Sequence, residues 1–145
     1  MNVSKNRSEL FWWCALLGYV FFLYIVYTLP LAEIPVSVTR ANDKVLHSLS
    51  FLLLSLVGFQ TFSGSTWDAF RTRSGVKSAA FSIFYGAFLE WAQRTVPGRD
   101  MSFWDFLADS LGTLTAVAIF CLPDFFQKNS RVLKPQVNSS RFFFG

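Results

Sequence analysis

The sequence is short of charge. Asp, Glu, Lys and Arg make up 15% of its 145 residues, against about 25% in an average soluble domain. One compact unit is the prior at this length, and this charge is too little to clothe a soluble core of that size. Cysteine is scarce as well: Cys14 and Cys121 are the pair, which excludes a disulfide-stapled scaffold. Histidine occurs once, at His47, so a zinc site is not expected and no metal is assigned. No serine or cysteine lies in a nucleophile motif, no glycine-rich loop is placed to cradle phosphate, and no repeat is visible. Neither a cofactor nor catalytic turnover is called for by any of these features. What the chain has in excess is apolar and aromatic surface: 52% hydrophobic residues, 18 Phe, 5 Trp, 4 Tyr and a mean hydropathy of +0.38. Such a composition excludes disorder and points to a small integral membrane protein.

Four hydrophobic segments are expected. The first, Leu10 to Ala32, carries no charge until it ends and exceeds the ~20 residues that cross ~30 Å of hydrocarbon. Its rings gather at Phe11, Trp12 and Trp13 and recur at Tyr24 and Tyr27, the pattern of interfacial aromatics. As a signal peptide, with Lys5 and Arg7 as its basic flank, it would be too long and too aromatic. The second segment runs from about Lys44 to Phe62, the third from about Lys77 to Gln93, and the fourth from about Phe103 to Leu122. The last two are short unless Glu90, Asp105 and Asp109 enter the membrane, so a re-entrant hairpin is the alternative for that pair. The fold class is thus all-α, an integral membrane bundle of about four transmembrane helices. It divides into residues 1–9, a membrane domain over 10–122, and a polar tail over 123–145 ending in Phe142, Phe143 and Phe144.

Lys and Arg orient the bundle. Lys5, Arg7, Arg71, Arg73, Lys77, Lys128, Arg131, Lys134 and Arg141 fall on one side, and Arg40, Lys44, Arg94 and Arg99 on the other. Nine against four places both termini in the cytoplasm by the positive-inside bias. Topology accounts for the formal charge of +4, and nucleic acid is not an expected partner. Both thiols then lie near the cytoplasmic side, where reducing conditions argue against a disulfide, as small apolar groups in packed helices.

The residues that membranes tolerate least collect at the other end. Asp43, Lys44 and His47 open the second helix, Glu90 and Gln93 close the third with Arg94 following, and Arg99, Asp100, Asp105 and Asp109 lie in or just after the last connection. No comparable cluster marks the inner end. Asp43 and His47 share a face at i, i+4, as do Gly86 and Glu90, and Asp105 and Asp109. Gly86 and Gly112 are placed to let neighbouring backbones approach. Charges in the bilayer usually face a bundle interior or a wet cavity. Each residue also has a purely structural reading. Asn42 and Asp43 suit a helix start, Ser102-x-x-Asp105 has the form of a capping box, Arg94 suits a helix end, and Arg99 can pair with Glu90 or Asp105. A His with carboxylates in reach can move a proton, and the same set can hold a polar headgroup or saccharide.

Asp43-Lys44-x-x-His47 with Phe51, Gly86-x-x-x-Glu90-x-x-Gln93, Val96-Pro97-Gly98-Arg99, and Asp105-x-x-x-Asp109-x-x-Gly112 together resemble the VanZ-like family of small bacterial membrane proteins. The resemblance covers about half the chain. Where the family commonly has Asn in the last motif, this chain has Asp109. It implies a multi-pass bundle in the bacterial cytoplasmic membrane and, by the family's name-giving member, a role in resistance to the glycopeptide teicoplanin. Candidate site residues are Asp43, Lys44, His47, Glu90, Gln93, Arg99, Asp105 and Asp109. The expected partners are membrane lipids and a lipid-linked or cell-wall component. The alternative is an accessory subunit of a larger membrane assembly with no catalysis of its own. An ion pathway is disfavoured, because no line of ionisable residues continues through the inner half.

Overall fold

The computed structural model describes residues 3–29, 40–98 and 101–132, with side chains over 6–29, 43–98 and 101–120. Every regular element among them is a helix: α1 (Val3–Thr28), α2 (Arg40–Gly64), the short α3 (Asp68–Arg71), α4 (Ser74–Gln93) and α5 (Phe103–Val132). Three of these are long and apolar enough to cross a membrane, over Asn6–Thr28, Asp43–Gly64 and Phe103–Phe120.

Helix α4 is not among the three, and its sequence says why. At 20 residues it reaches ~30 Å, but Ser78, Ser82, Gly86, Glu90 and Gln93 lower its hydropathy. Those five residues are buried, while Val76, Phe84, Phe88 and Trp91 on the same helix are exposed. Across the bundle, Leu10, Phe21, Phe84 and Leu111 face outward, and the interior mixes apolar Leu23, Phe51, Leu54 and Leu89 with enclosed Ser55, Ser78, Ser82, Asp109 and Thr113. The apolar outer surface is what departs from a water-soluble protein, and it suits an apolar solvent.

Helix α2 is central and touches each of the others. Against α1 it runs antiparallel, pinned by Tyr19 Oη donating to the Ser50 carbonyl at 3.2 Å and Thr61 Oγ1 to the Trp12 carbonyl at 3.1 Å. Against α4 the seam is a run of small polar groups. Ser55 Oγ donates to Ser82 Oγ at 2.8 Å, and Ser78 Oγ donates to the Ser55 carbonyl at 2.6 Å. Such seams satisfy hydroxyls where water cannot reach and draw backbones together. Tyr85 ties α4 to α1 through the Val20 carbonyl at 2.6 Å.

Helices α2 and α5 lie parallel. At Gly112 a Cβ would stand 1.9 Å from the Ser48 carbonyl oxygen, so only glycine permits this crossing, and the close approach expected there is found. Gly86 works differently: its missing side chain leaves room for the Asp109 carboxylate and the Phe51 ring, each 3.2 Å from an added Cβ, not for another backbone. Between α3 and α4 the chain turns at Arg73, which takes the left-handed conformation at φ 54°. Cys14 is exposed on the outer surface of α1, not packed between helices as anticipated, because it lies off the face that carries Leu16, Leu23 and Tyr27 inward. Helix α5 continues past Leu122 to Val132. The side chain of Cys121 and the Phe142–Phe144 patch lie outside the described residues.

Candidate functional site

The antiparallel path of α1, α2, α4 and α5 brings four helix termini to one end of the bundle. The N-terminal turns of α2 and α5 supply Asp43, Lys44, His47, Asp105 and Asp109. The C-terminal turns of α4 supply Glu90 and Gln93. His47 is the centre. Its Nδ1 and Asp109 Oδ1 are hydrogen-bonded at 2.9 Å, and its Nε2 faces Asp43 Oδ1 at 3.9 Å. Asp109 and His47 are both buried, so the pair bridges α2 and α5 with water excluded. Asp43 is the outer member and nearly half exposed.

The capping box expected at the start of α5 is rearranged. Ser102 Oγ does accept the Asp105 amide, at 3.3 Å, as an N-cap serine should. The reciprocal bond to the Ser102 amide comes instead from another helix, where Glu90 Oε2 accepts it at 2.9 Å. Asp105 is thereby released and forms an ion pair with Lys44 of α2. Glu90 therefore caps α5 in trans, an arrangement that spacing along one helix cannot reveal.

Several buried polar atoms here have no partner among the described residues: Glu90 Oε1, Asp109 Oδ2, Gln93 Nε2 and Thr113 Oγ1. Glu90, Gln93 and Asp109 are 3%, 2% and 1% exposed. An unsatisfied buried polar group costs about 1–3 kcal/mol, and more when charged. These four atoms lie toward this end of the bundle, and a fifth, Glu9 Oε2, lies at the other. One ligand atom from each of His47, Glu90 and Asp109 lies within 4.8 Å of the others, and the same holds for Asp43, His47 and Asp105.

Of the expected site residues, seven converge here, and Arg99 lies outside the described residues. Arg94 caps the end of α4 and is exposed, away from the carboxylates. Tyr27, read as an interfacial ring, is instead buried edge-on against the His47 imidazole, with centroids 4.5 Å apart. Its position at the end of α1, opposite the start of α2, was the available signal. Thr113 was also missed, although it follows Asp109 at i+4 on the same face.

At the opposite end, Glu9 Oε1 accepts from Ser65 Oγ at 3.0 Å, the Thr66 amide at 3.0 Å and Thr66 Oγ1 at 3.2 Å. No cluster comparable to the one around His47 was expected here, and this single carboxylate with Ser65 and Thr66 is not one. Glu9 fastens α1 to the exit of α2, beside an open, largely apolar groove lined by Leu10, Trp13, Trp67 and Phe70. Its role is a helix tie.

Comparison with protein-family models, with characterised proteins and with solved structures finds no match to this chain.

Proposed function

We propose that this chain is a VanZ-like, four-span protein of a bacterial cytoplasmic membrane. Its polar end faces outward and binds the polar head of a lipid-linked or cell-wall component, with tolerance of glycopeptides such as teicoplanin as the consequence. The observation that carries this reading is the set of buried, unpartnered polar atoms on Glu90, Gln93 and Asp109 around His47, at one end of an otherwise apolar-faced bundle. Helix α4 is the fourth span in this reading, because its polar residues are turned inward and its outer face is apolar. Both termini are then cytoplasmic. Burial of the cluster at the outer end suits recognition of a headgroup, which offers donors and acceptors at the level where they are needed.

The test is envelope-antibiotic susceptibility in a teicoplanin-sensitive host. Expression of the wild type raises the inhibitory concentration, and His47→Ala and Glu90→Gln abolish the rise at unchanged membrane levels. Full tolerance in both variants, or none with the wild type, overturns the reading.

A second reading, an accessory subunit without catalysis of its own, draws on one observation. An apolar groove between α2 and α5 is lined by Val45, Leu49, Trp104, Leu107 and Leu111 beside Lys44. Native mass analysis after mild solubilisation separates the two: bound lipid on a lone protomer or homo-oligomer favours the first, and a stoichiometric complex with other membrane subunits the second.

A further inference from the structure

We infer that His47, Glu90 and Asp109 form a binding site for a divalent cation, a chemistry that a lone histidine had argued against. Four observations converge on it. The three residues come from α2, α4 and α5, and one potential ligand atom from each lies within 4.8 Å of the others. Glu90 Oε1 and Asp109 Oδ2 are enclosed and without hydrogen-bond partners among the described residues. The His47 Nδ1 to Asp109 Oδ1 separation of 2.9 Å, a hydrogen bond while no ion is bound, already has the ~3.0 Å spacing of two ligands at right angles around one ion with bonds of ~2.1 Å. Gly86 keeps the space beside Asp109 Oδ2 clear, since a Cβ there would lie 3.2 Å from that oxygen.

Electrostatics favours an ion over an empty cluster. Two carboxyl groups and one imidazole are enclosed together with oxygens left unpartnered among the described residues. A divalent cation supplies the partner both orphan oxygens lack. The overlapping group of Asp43, His47 and Asp105 is the weaker candidate. Lys44 already holds Asp105, and Asp43 is open to solvent.

Asp43 acquires a positioning role instead. When Nδ1 binds the ion, the neutral ring carries its proton on Nε2, which faces Asp43 Oδ1 at 3.9 Å. A carboxylate accepting from the other ring nitrogen is the usual way a ligating histidine is oriented, and Asp43 takes that role once the 3.9 Å gap closes to hydrogen-bond distance. One imidazole nitrogen with two carboxylates suits an ion of intermediate hardness such as Mn2+. Three protein donors leave coordination positions free. The inference stands on this geometry and not on the envelope reading: ion binding is measured on the isolated protein, so either conclusion can fail alone.

The experiment titrates Mn2+ alone into the EDTA-washed full chain in detergent, reading free ion by its electron paramagnetic resonance. One equivalent is expected to bind, at least tenfold more weakly in Glu90→Gln, Asp109→Asn and His47→Ala. Asp43→Asn is expected to keep the stoichiometry with roughly tenfold lower affinity. Asp109→Asn preserves the shape of the side chain and an acceptor for His47, and circular dichroism verifies that the helices are retained. Absence of saturable binding to the folded wild type overturns the inference. So does binding that is unchanged in Glu90→Gln and Asp109→Asn.

Discussion

Glu90 has a structural and a chemical contribution, and two substitutions separate them. Its Oε2 accepts the Ser102 amide at the start of α5, while Oε1 is left for the site. Glu90→Gln retains a carbonyl acceptor and loses the charge. Glu90→Ala loses both. We therefore expect Glu90→Ala to weaken the start of α5 by about 1 kcal/mol, the usual worth of a cap, seen as faster amide exchange over residues 102–106. Glu90→Gln is expected to hold wild-type exchange there while losing site function. Equal exchange in the two variants would remove the capping role. At this scale the sequence was legible in kind but not in pairing. Asp43 and His47 share a helix face, yet the hydrogen bond of His47 goes to Asp109, because α5 lies parallel to α2 and meets the buried side of the ring. Likewise Ser102-x-x-Asp105 read as a closed local motif until Lys44 and Glu90, from two other helices, divided its bonds between them. Local spacing specifies which residues share a face, and only packing decides what that face meets.

At the scale of elements, the α2–α5 crossing depends on one missing methyl group. An added Cβ at Gly112 would collide with the Ser48 backbone, its carbonyl oxygen 1.9 Å away, and backbone cannot rotate aside as a side chain can. Gly112→Ala is expected to lower stability by about 1–3 kcal/mol, the range for overpacking, in a denaturant titration in mixed micelles. Because α2 and α5 carry His47 and Asp109, the same variant should also loosen the site. Gly18→Ala is the control, since nothing lies within 4 Å of a Cβ there, and its expected change is neutral or slightly stabilising through helix propensity. Equal midpoints for the two variants would mean that the crossing relaxes freely. The helices themselves were readable from hydropathy, and each of the four expected segments coincides with a helix, the first as far as Thr28. Helix α4 shows where that reading stops. Hydropathy averages around a helix, so a stripe of Ser78, Ser82, Gly86, Glu90 and Gln93 lowers the mean without revealing that it is turned inward. The buried Ser55–Ser82 contact is what makes the stripe an interior seam.

For the whole molecule, the open issue is whether α4 crosses the bilayer, and the charge distribution makes a definite prediction. Nine of the 13 Lys and Arg residues lie on the side assigned to the cytoplasm if all four long helices span. If α4 and α5 formed a re-entrant hairpin, the connection between them would be its tip within the bilayer, and Arg94 and Arg99 would open only to the side that holds Arg71, Arg73 and Lys77. Ala69 and Thr95 are exposed and report on the two connections that flank α4. In a background with Cys14 and Cys121 replaced by alanine, Thr95→Cys is expected to react with a membrane-impermeant maleimide applied to intact cells. Ala69→Cys is expected to react only after the membrane is opened. Labelling of both positions from the same side would make α4 re-entrant. The polar cluster would then sit at the tip of a hairpin that dips into the bilayer, its orphaned carboxylate oxygens would be reached from the cytoplasm, and the outward-facing envelope role would fall with the topology. Labelling from opposite sides supports a site that opens outward, where a headgroup or cell-wall component can reach it.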